Sequence, residues 1–159
     1  MGAWTTLDSS STRGHVANRA RVVFTWARRP AKGTASALRA AVEHVMAKLG
    51  VADCEVGVLI CSDQRIRALN QAYRGRDQAT DVLSFPSGEV QPDGPRYLGD
   101  IAISLDTARH QAAAAGIDER QELVTLLVHG LLHLLGWDHE RDGGEMARLE
   151  EQLRGELGL

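Results

Sequence analysis

Three of the six histidines in this 159-residue chain fall within the stretch VHGLLHLLGWDHE, residues 128–140, which is otherwise largely leucine and glycine. His129 and His133 are four apart, so on a helix their side chains share one face about one turn from each other. Gly136 follows the last leucines where a helix C′ glycine belongs, in the left-handed conformation that turns a chain back on itself. His139, three residues later, can then return to the helix end and complete a triangle. A lone histidine on an apolar helix is more often a satisfied core residue than a ligand. Three converging imidazoles instead suit Zn²⁺ at about 2.0–2.1 Å, with a fourth position open for water. The expectation is one zinc per chain on His129, His133 and His139, and the open position makes that zinc catalytic, since structural zinc has four protein ligands.

The spacing H-x3-H-x2-G-x2-H is that of the metzincin zinc peptidases, in which a glutamate directly after the first histidine is the general base. Here that position is Gly130, which accepts no proton. Peptide hydrolysis is therefore disfavoured at its most specific residue. Asp138 is read as a substitute base, a turn residue or an outer hydrogen-bond partner of the ligands.

With two blocks upstream, these residues resemble the YbeY family of bacterial zinc-dependent endoribonucleases. That family's signature is roughly HGxLHLxGYDH, and this chain has HGLLHLLGWDH, with Trp137 for the usual tyrosine. LNQAYRGRDQATDVLSFP, residues 69–86, is similar to a second signature, and LGDIAIS, residues 98–104, to a third. The three blocks stand in the family's order within residues 18–157. The long N-terminal arm departs from the pattern, as does Ala-Thr at 79–80, where proline-threonine is common. The resemblance implies a sheet flanked by helices and zinc on the three histidines. It also implies hydrolysis of single-stranded RNA, in ribosomal RNA maturation (notably the 3′ end of 16S rRNA) and in ribosome quality control. Expected partners are ribosomal RNA and the ribosome or small-subunit proteins, with no DNA and no membrane. Arg74 matches the family's functional arginine.

RNA cleavage must neutralise a phosphate whose charge grows in the transition state, and a fixed guanidinium does so bidentately. Arg74 is thus the catalytic candidate, and Arg76, Asp81, Ser84, Asp100 and Asp138 are candidate RNA-binding or supporting residues. Asp81 and Ser84 are expected at the cleft's polar edge, and Asp100 to orient a histidine or a backbone turn. Arg65 and Arg67 read as a solvated helix face. The nucleophile is either water at the zinc or the substrate's own 2′-hydroxyl. Two rival functions are a zinc hydrolase of another substrate such as a peptide, and a ribosome-assembly binding factor whose zinc is mainly structural.

The elements that must position these residues are legible in the apolar spacing. Strands are expected at 21–26, 55–61, 80–85 and 98–104. Helices are expected at 34–49, from Ser62 through 73, after 104 to 115, from an Asp118/Gln121 capping box to 135, and at 144–157. From Glu122 to Asp138 no charged residue intervenes, which marks a buried central helix. The order β-α-β-α-β-β-α-α-α gives an α+β (α/β sandwich) class: a small mixed sheet of about four strands with about five helices. Residues 1–18 read as a loose basic arm and 19–159 as one domain. Residues 1–32 hold six basic side chains against Asp8 alone, a charge of +5, leaving −8 for the remainder of a chain of net −3. That balance excludes bulk coating of nucleic acid. The N-terminus lacks the apolar core of a secretory signal, so the expected location is cytoplasmic. Cys54 and Cys61, seven apart on one strand, point to opposite faces and read as reduced buried thiols.

Overall fold

The computed structural model describes residues 20–87, 96–138 and 140–159. The arm expected over residues 1–18 lies outside them. The order of elements is β1 (Ala20–Trp26), α1 (Thr34–Lys48), β2 (Cys54–Cys61), α2 (Asp63–Arg74), β3 (Val82–Pro86), β4 (Arg96–Ser104), α3 (Leu105–Ala115), α4 (Glu119–Leu134) and α5 (Glu145–Glu156). This is the expected α+β class, with a mixed sheet of four strands and five helices. Strand order is β1-β2-β4-β3, with β1, β2 and β4 parallel and β3 antiparallel to β4. Parallel neighbours cannot be joined by a tight turn, which is why α1 and α2 leave the sheet between strands.

Side-chain alternation sorts the helices onto the two faces. Val56, Val58 and Ile60 of β2 and Ile101 and Ile103 of β4 join the main core with α1 and α4. Cys61, Leu83 and Ala102 point the other way and meet Ile66 of α2 in a smaller cluster. Cys54 lies in the first core and Cys61 in the second, both as free buried thiols. Burial raises the pKa of each, Cys61 to about 11, which keeps them protonated and unreactive at neutral pH.

β3 begins at Val82, two residues after its expected start; just before it the Asp81 carboxylate accepts from the Val82 amide (2.8 Å) and the Asp81 carbonyl accepts from the Ser104 amide (2.9 Å). Pro86 closes β3 as its last residue, which an edge strand tolerates. On α4, Leu123, Leu127, Val128, Leu131 and Leu132 are fully buried. At about 1.5–3 kcal/mol each, their burial is of the order of the whole net stability of a domain, about 5–15 kcal/mol. Packing, not helix propensity, holds α4, so the face carrying the histidines is rigid.

Candidate metal centre

α4 starts where local chemistry dictates. Asp118 accepts from the Gln121 amide at 2.8 Å, and the Gln121 side chain accepts from the Asp118 amide at 3.1 Å. Its other end is a Schellman closure: Trp137 N–H donates to Leu132 O (3.0 Å) and Gly136 N–H to His133 O (3.1 Å), with Gly136 at φ 93°. The reversal brings the Trp137 carbonyl back over the last turn, 3.0 Å from His133 Nδ1. From α5, Glu150 Oε1 lies 2.6 Å from His129 Nδ1.

These two acceptors fix the protons. A carbonyl oxygen only accepts, so His133 Nδ1 carries the hydrogen, and the Glu150 carboxylate imposes the same on His129. In neutral rings both Nε2 atoms then hold lone pairs, and they face each other at 3.0 Å, with ring planes at 77°. Two lone pairs at that distance repel unless a proton or a metal cation lies between them. In a tetrahedral zinc site, two nitrogens at about 2.0–2.1 Å from the metal are separated by about 3.3 Å. The donor set therefore fits zinc. The pKa of His129 is raised, first by the Glu150 hydrogen bond, against the opposing effect of burial, and then by the charges of Glu150 and Asp81. The same field that favours a proton favours a metal cation. The third expected ligand, His139, lies outside the described residues.

Gly130 faces the sheet. A Cβ there would stand 2.9 Å from Ile101 Cγ2 and 3.2 Å from Ser84 Oγ. The glycine is thus required by the close approach of α4 to β4, and no side chain at this position could serve as a base beside the imidazoles. Ser84 Oγ donates to the Gly130 carbonyl at 2.9 Å, tying β3 to the turn of α4 that carries His129. Asp81 also lies on this side. It holds the start of β3, takes a 3.4 Å bond from Gln111, and adds negative potential at His129 and Glu122. Burial, then Asp81, raises the pKa of the Glu122 carboxyl, against the Arg154 charge.

Other expected residues lie elsewhere. Among the described residues Asp100 bonds no histidine: it projects from the α2 side of β4 and accepts from the Tyr97 hydroxyl. The two-residue alternation of the strand puts it on the face opposite Ile101, away from α4. Burial, and then this bond, raises the Tyr97 pKa. Asp138 is a turn residue, accepting from the Glu140 amide at 3.0 Å with Arg141 at 3.5 Å. Arg74 is the last residue of α2 and is exposed, as is Arg76 beyond the left-handed Gly75. Neither forms an ion pair among the described residues. Asn70 Nδ2 donates to Gln78 O (2.9 Å) and so anchors the loop that follows them. The Arg67 guanidinium is exposed and paired with Asp77 at 2.8 Å, while Arg65 is solvated as expected. α2 and α4 pack on opposite faces of the sheet, so Arg74 and the two histidines belong to elements on different sides of it.

Glu150 was not foreseen. It sits 21 residues after its partner, on a helix whose outward face reads as ordinary solvated charge, and only its fourfold spacing from Met146, a core residue of α5, hints that it turns inward.

Known proteins bear on this arrangement directly. Residues 26–158 match the family model described as Endoribonuclease YbeY. The chain is 49% identical over 130 residues to an Endoribonuclease YbeY of Anaeromyxobacter sp., covering 80% of this chain and 67% of that one. It is 44% identical over 144 residues to that of Myxococcus xanthus, covering 88% of this chain and 44% of that longer relative. The solution structure of TM1509 from Thermotoga maritima is similar with a TM-score of 0.58 and 29% identity, covering 87% of this chain and 89% of that one. With a family model spanning nearly all of the described fold and its two imidazoles, the chain belongs to the YbeY endoribonuclease family.

Proposed function

We propose that the protein is a zinc-dependent, single-strand-specific endoribonuclease that acts in ribosomal RNA maturation, including the 16S 3′ end, and in ribosome quality control in the cytoplasm. The observation that carries the reading is the 3.0 Å approach of the two Nε2 atoms, with the Glu150 carboxylate and the Trp137 carbonyl at their Nδ1 atoms. His129, His133 and His139 would hold the zinc, which supplies Lewis-acid polarisation of a phosphoryl oxygen and activation of water. Glu150 and Trp137 lock the two rings. Asp81 adds negative potential beside them, and Ser84 anchors β3 to the ligand helix. Arg74, free of ion pairs among the described residues, binds the scissile phosphate and offsets its growing charge.

Gly130 weighs against the peptidase alternative, because the sheet leaves no room for a base at that position. The test is cleavage of matched single- and double-stranded RNA by the purified full chain, with chelator, with zinc restored, and in His133→Ala. Single-strand cleavage that needs both zinc and His133 is expected. Cleavage indifferent to both would overturn the reading. Zinc bound without any cleavage would favour an assembly factor with structural metal.

A further inference from the structure

Of the large apolar side chains among the described residues, Tyr73 is exposed far beyond the others, at 71%; the next is Ile117 at 37%. It is the penultimate residue of α2, so its ring contributes little to the core it borders. The ring is nevertheless held: it and Phe85 of β3 meet edge to face, with centroids 5.0 Å apart and planes at 60°. Such a contact orients the ring and covers at most one of its faces, and the residue stays 71% exposed. Arg74 and Arg76 follow it within three residues, both exposed, and the nearest acid in the loop, Asp77, is neutralised by Arg67 through two bonds of 2.8 and 3.2 Å. The patch is therefore an oriented aromatic face in positive surroundings. Phe85 is also next in sequence to Ser84, whose hydroxyl bonds the carbonyl after His129. β3 is the edge strand of the sheet; it meets Tyr73 through Phe85 and the turn of α4 that carries His129 through Ser84.

We propose that Tyr73 is a stacking platform for one unpaired RNA base, with Arg74 and Arg76 on the flanking phosphates, so that the bound strand crosses the β3 edge toward His129 and His133. Stacking on an aromatic face is tolerant of base identity but requires an unpaired base. The platform thus gives single-strand selectivity without sequence selectivity. This rests on the ribonuclease reading above and names how that site takes its substrate.

The test uses the full chain and a 2′-O-methyl oligoadenylate of roughly ten nucleotides, within the span of single-strand binding grooves. That probe keeps bases and phosphates and resists cleavage through the 2′-hydroxyl. An abasic oligomer of the same length and charge is the control. Tyr73→Ala is expected to weaken oligoadenylate binding about 5- to 150-fold, equivalent to about 1–3 kcal/mol for a stacked base, and to leave abasic binding unchanged. Tyr73→Trp should retain binding, and Tyr73→Leu, which keeps apolar area without a π face, should lose it like alanine. Circular dichroism and melting temperature on the same preparations exclude a folding defect. Equal losses on both oligomers, or full affinity in Tyr73→Ala, would overturn the stacking role while leaving the ribonuclease reading standing. Failure of the unmodified chain to bind or cleave RNA at all would overturn both.

Discussion

Replacing Glu150 tests whether a carboxylate on the last helix governs a ligand on α4. The Glu150–His129 contact is 2.6 Å long, and its side chains are 21% and 31% exposed. A hydrogen bond to a charged group contributes about 1.5–3 kcal/mol, and partial exposure discounts this to about 1–2 kcal/mol. Much of that contribution should appear in metal binding rather than folding. Without Glu150, His129 can rotate and can place its proton on Nε2, where the metal must sit. Outer partners of metal-bound histidines are worth about 10- to 100-fold in affinity, or roughly 1.4–2.7 kcal/mol, consistent with the contact estimate. Glu150→Ala should therefore weaken zinc binding by that factor in a competition titration against a chelator of known affinity. Glu150→Gln keeps an oxygen acceptor for Nδ1 and loses only the charge, so it should sit near the tenfold end. Side-chain nitrogen NMR should report a mixture of His129 tautomers in the alanine variant and a single one in the glutamine variant. Unchanged zinc affinity in a folded Glu150→Ala protein would refute the reasoning.

His133→Ala should lose most of its zinc by elemental analysis, and chelation should lower the melting temperature of the unmodified chain and not of the variant. Gly130→Ala gains about 1 kcal/mol of helix propensity but drives a methyl to 2.9 Å from the stiff Ile101 Cγ2, an overpacking cost of about 2–3 kcal/mol. Its melting temperature should fall by a few degrees, and a rise would show that α4 can back away from the sheet. Arg74→Ala should keep its zinc and fold and lose about 30- to 1000-fold in cleavage rate, the equivalent of about 2–4 kcal/mol; Arg74→Lys should recover part of this, and full activity in the alanine variant would remove the phosphate role. The Asp63 carboxyl accepts from Ser104 and Thr107 hydroxyls at 2.5 Å, and these bonds, Ser104 first, depress its pKa. Its contribution is present above the unfolded value of about 3.9 and is lost as pH falls through the lower folded value. The stability gap between the unmodified chain and Asp63→Asn, followed by thermal melts, should thus be full at neutral pH and shrink below about pH 4; a gap that widens in acid would contradict it.

What the sequence by itself determined is what short range governs. The Ser62 and Asp118 caps, the Gly136 closure and the face shared by His129 and His133 all depend on groups within a few residues, and each appears as spacing dictates. The order of elements followed from apolar periodicity for the same reason. Boundaries slipped by a residue or two at element ends, as at the start of β3, which begins at Val82. Tertiary structure decided the rest, because it sets which way a polar side chain turns and what waits there. Asp100 could have faced either side of the sheet; packing sent it to Tyr97 and away from the histidines. Gly130 read as a missing base and is instead a point of close approach between α4 and β4, separated from Ile101 by 29 positions of chain. Apart from its spacing from Met146, nothing local in the sequence marks Glu150; only the packing of α5 sets it on His129. The imidazoles were written in the helix period; the proton positions that turn their lone pairs on one another came from a carboxylate and a carbonyl that only the folded chain brings to them.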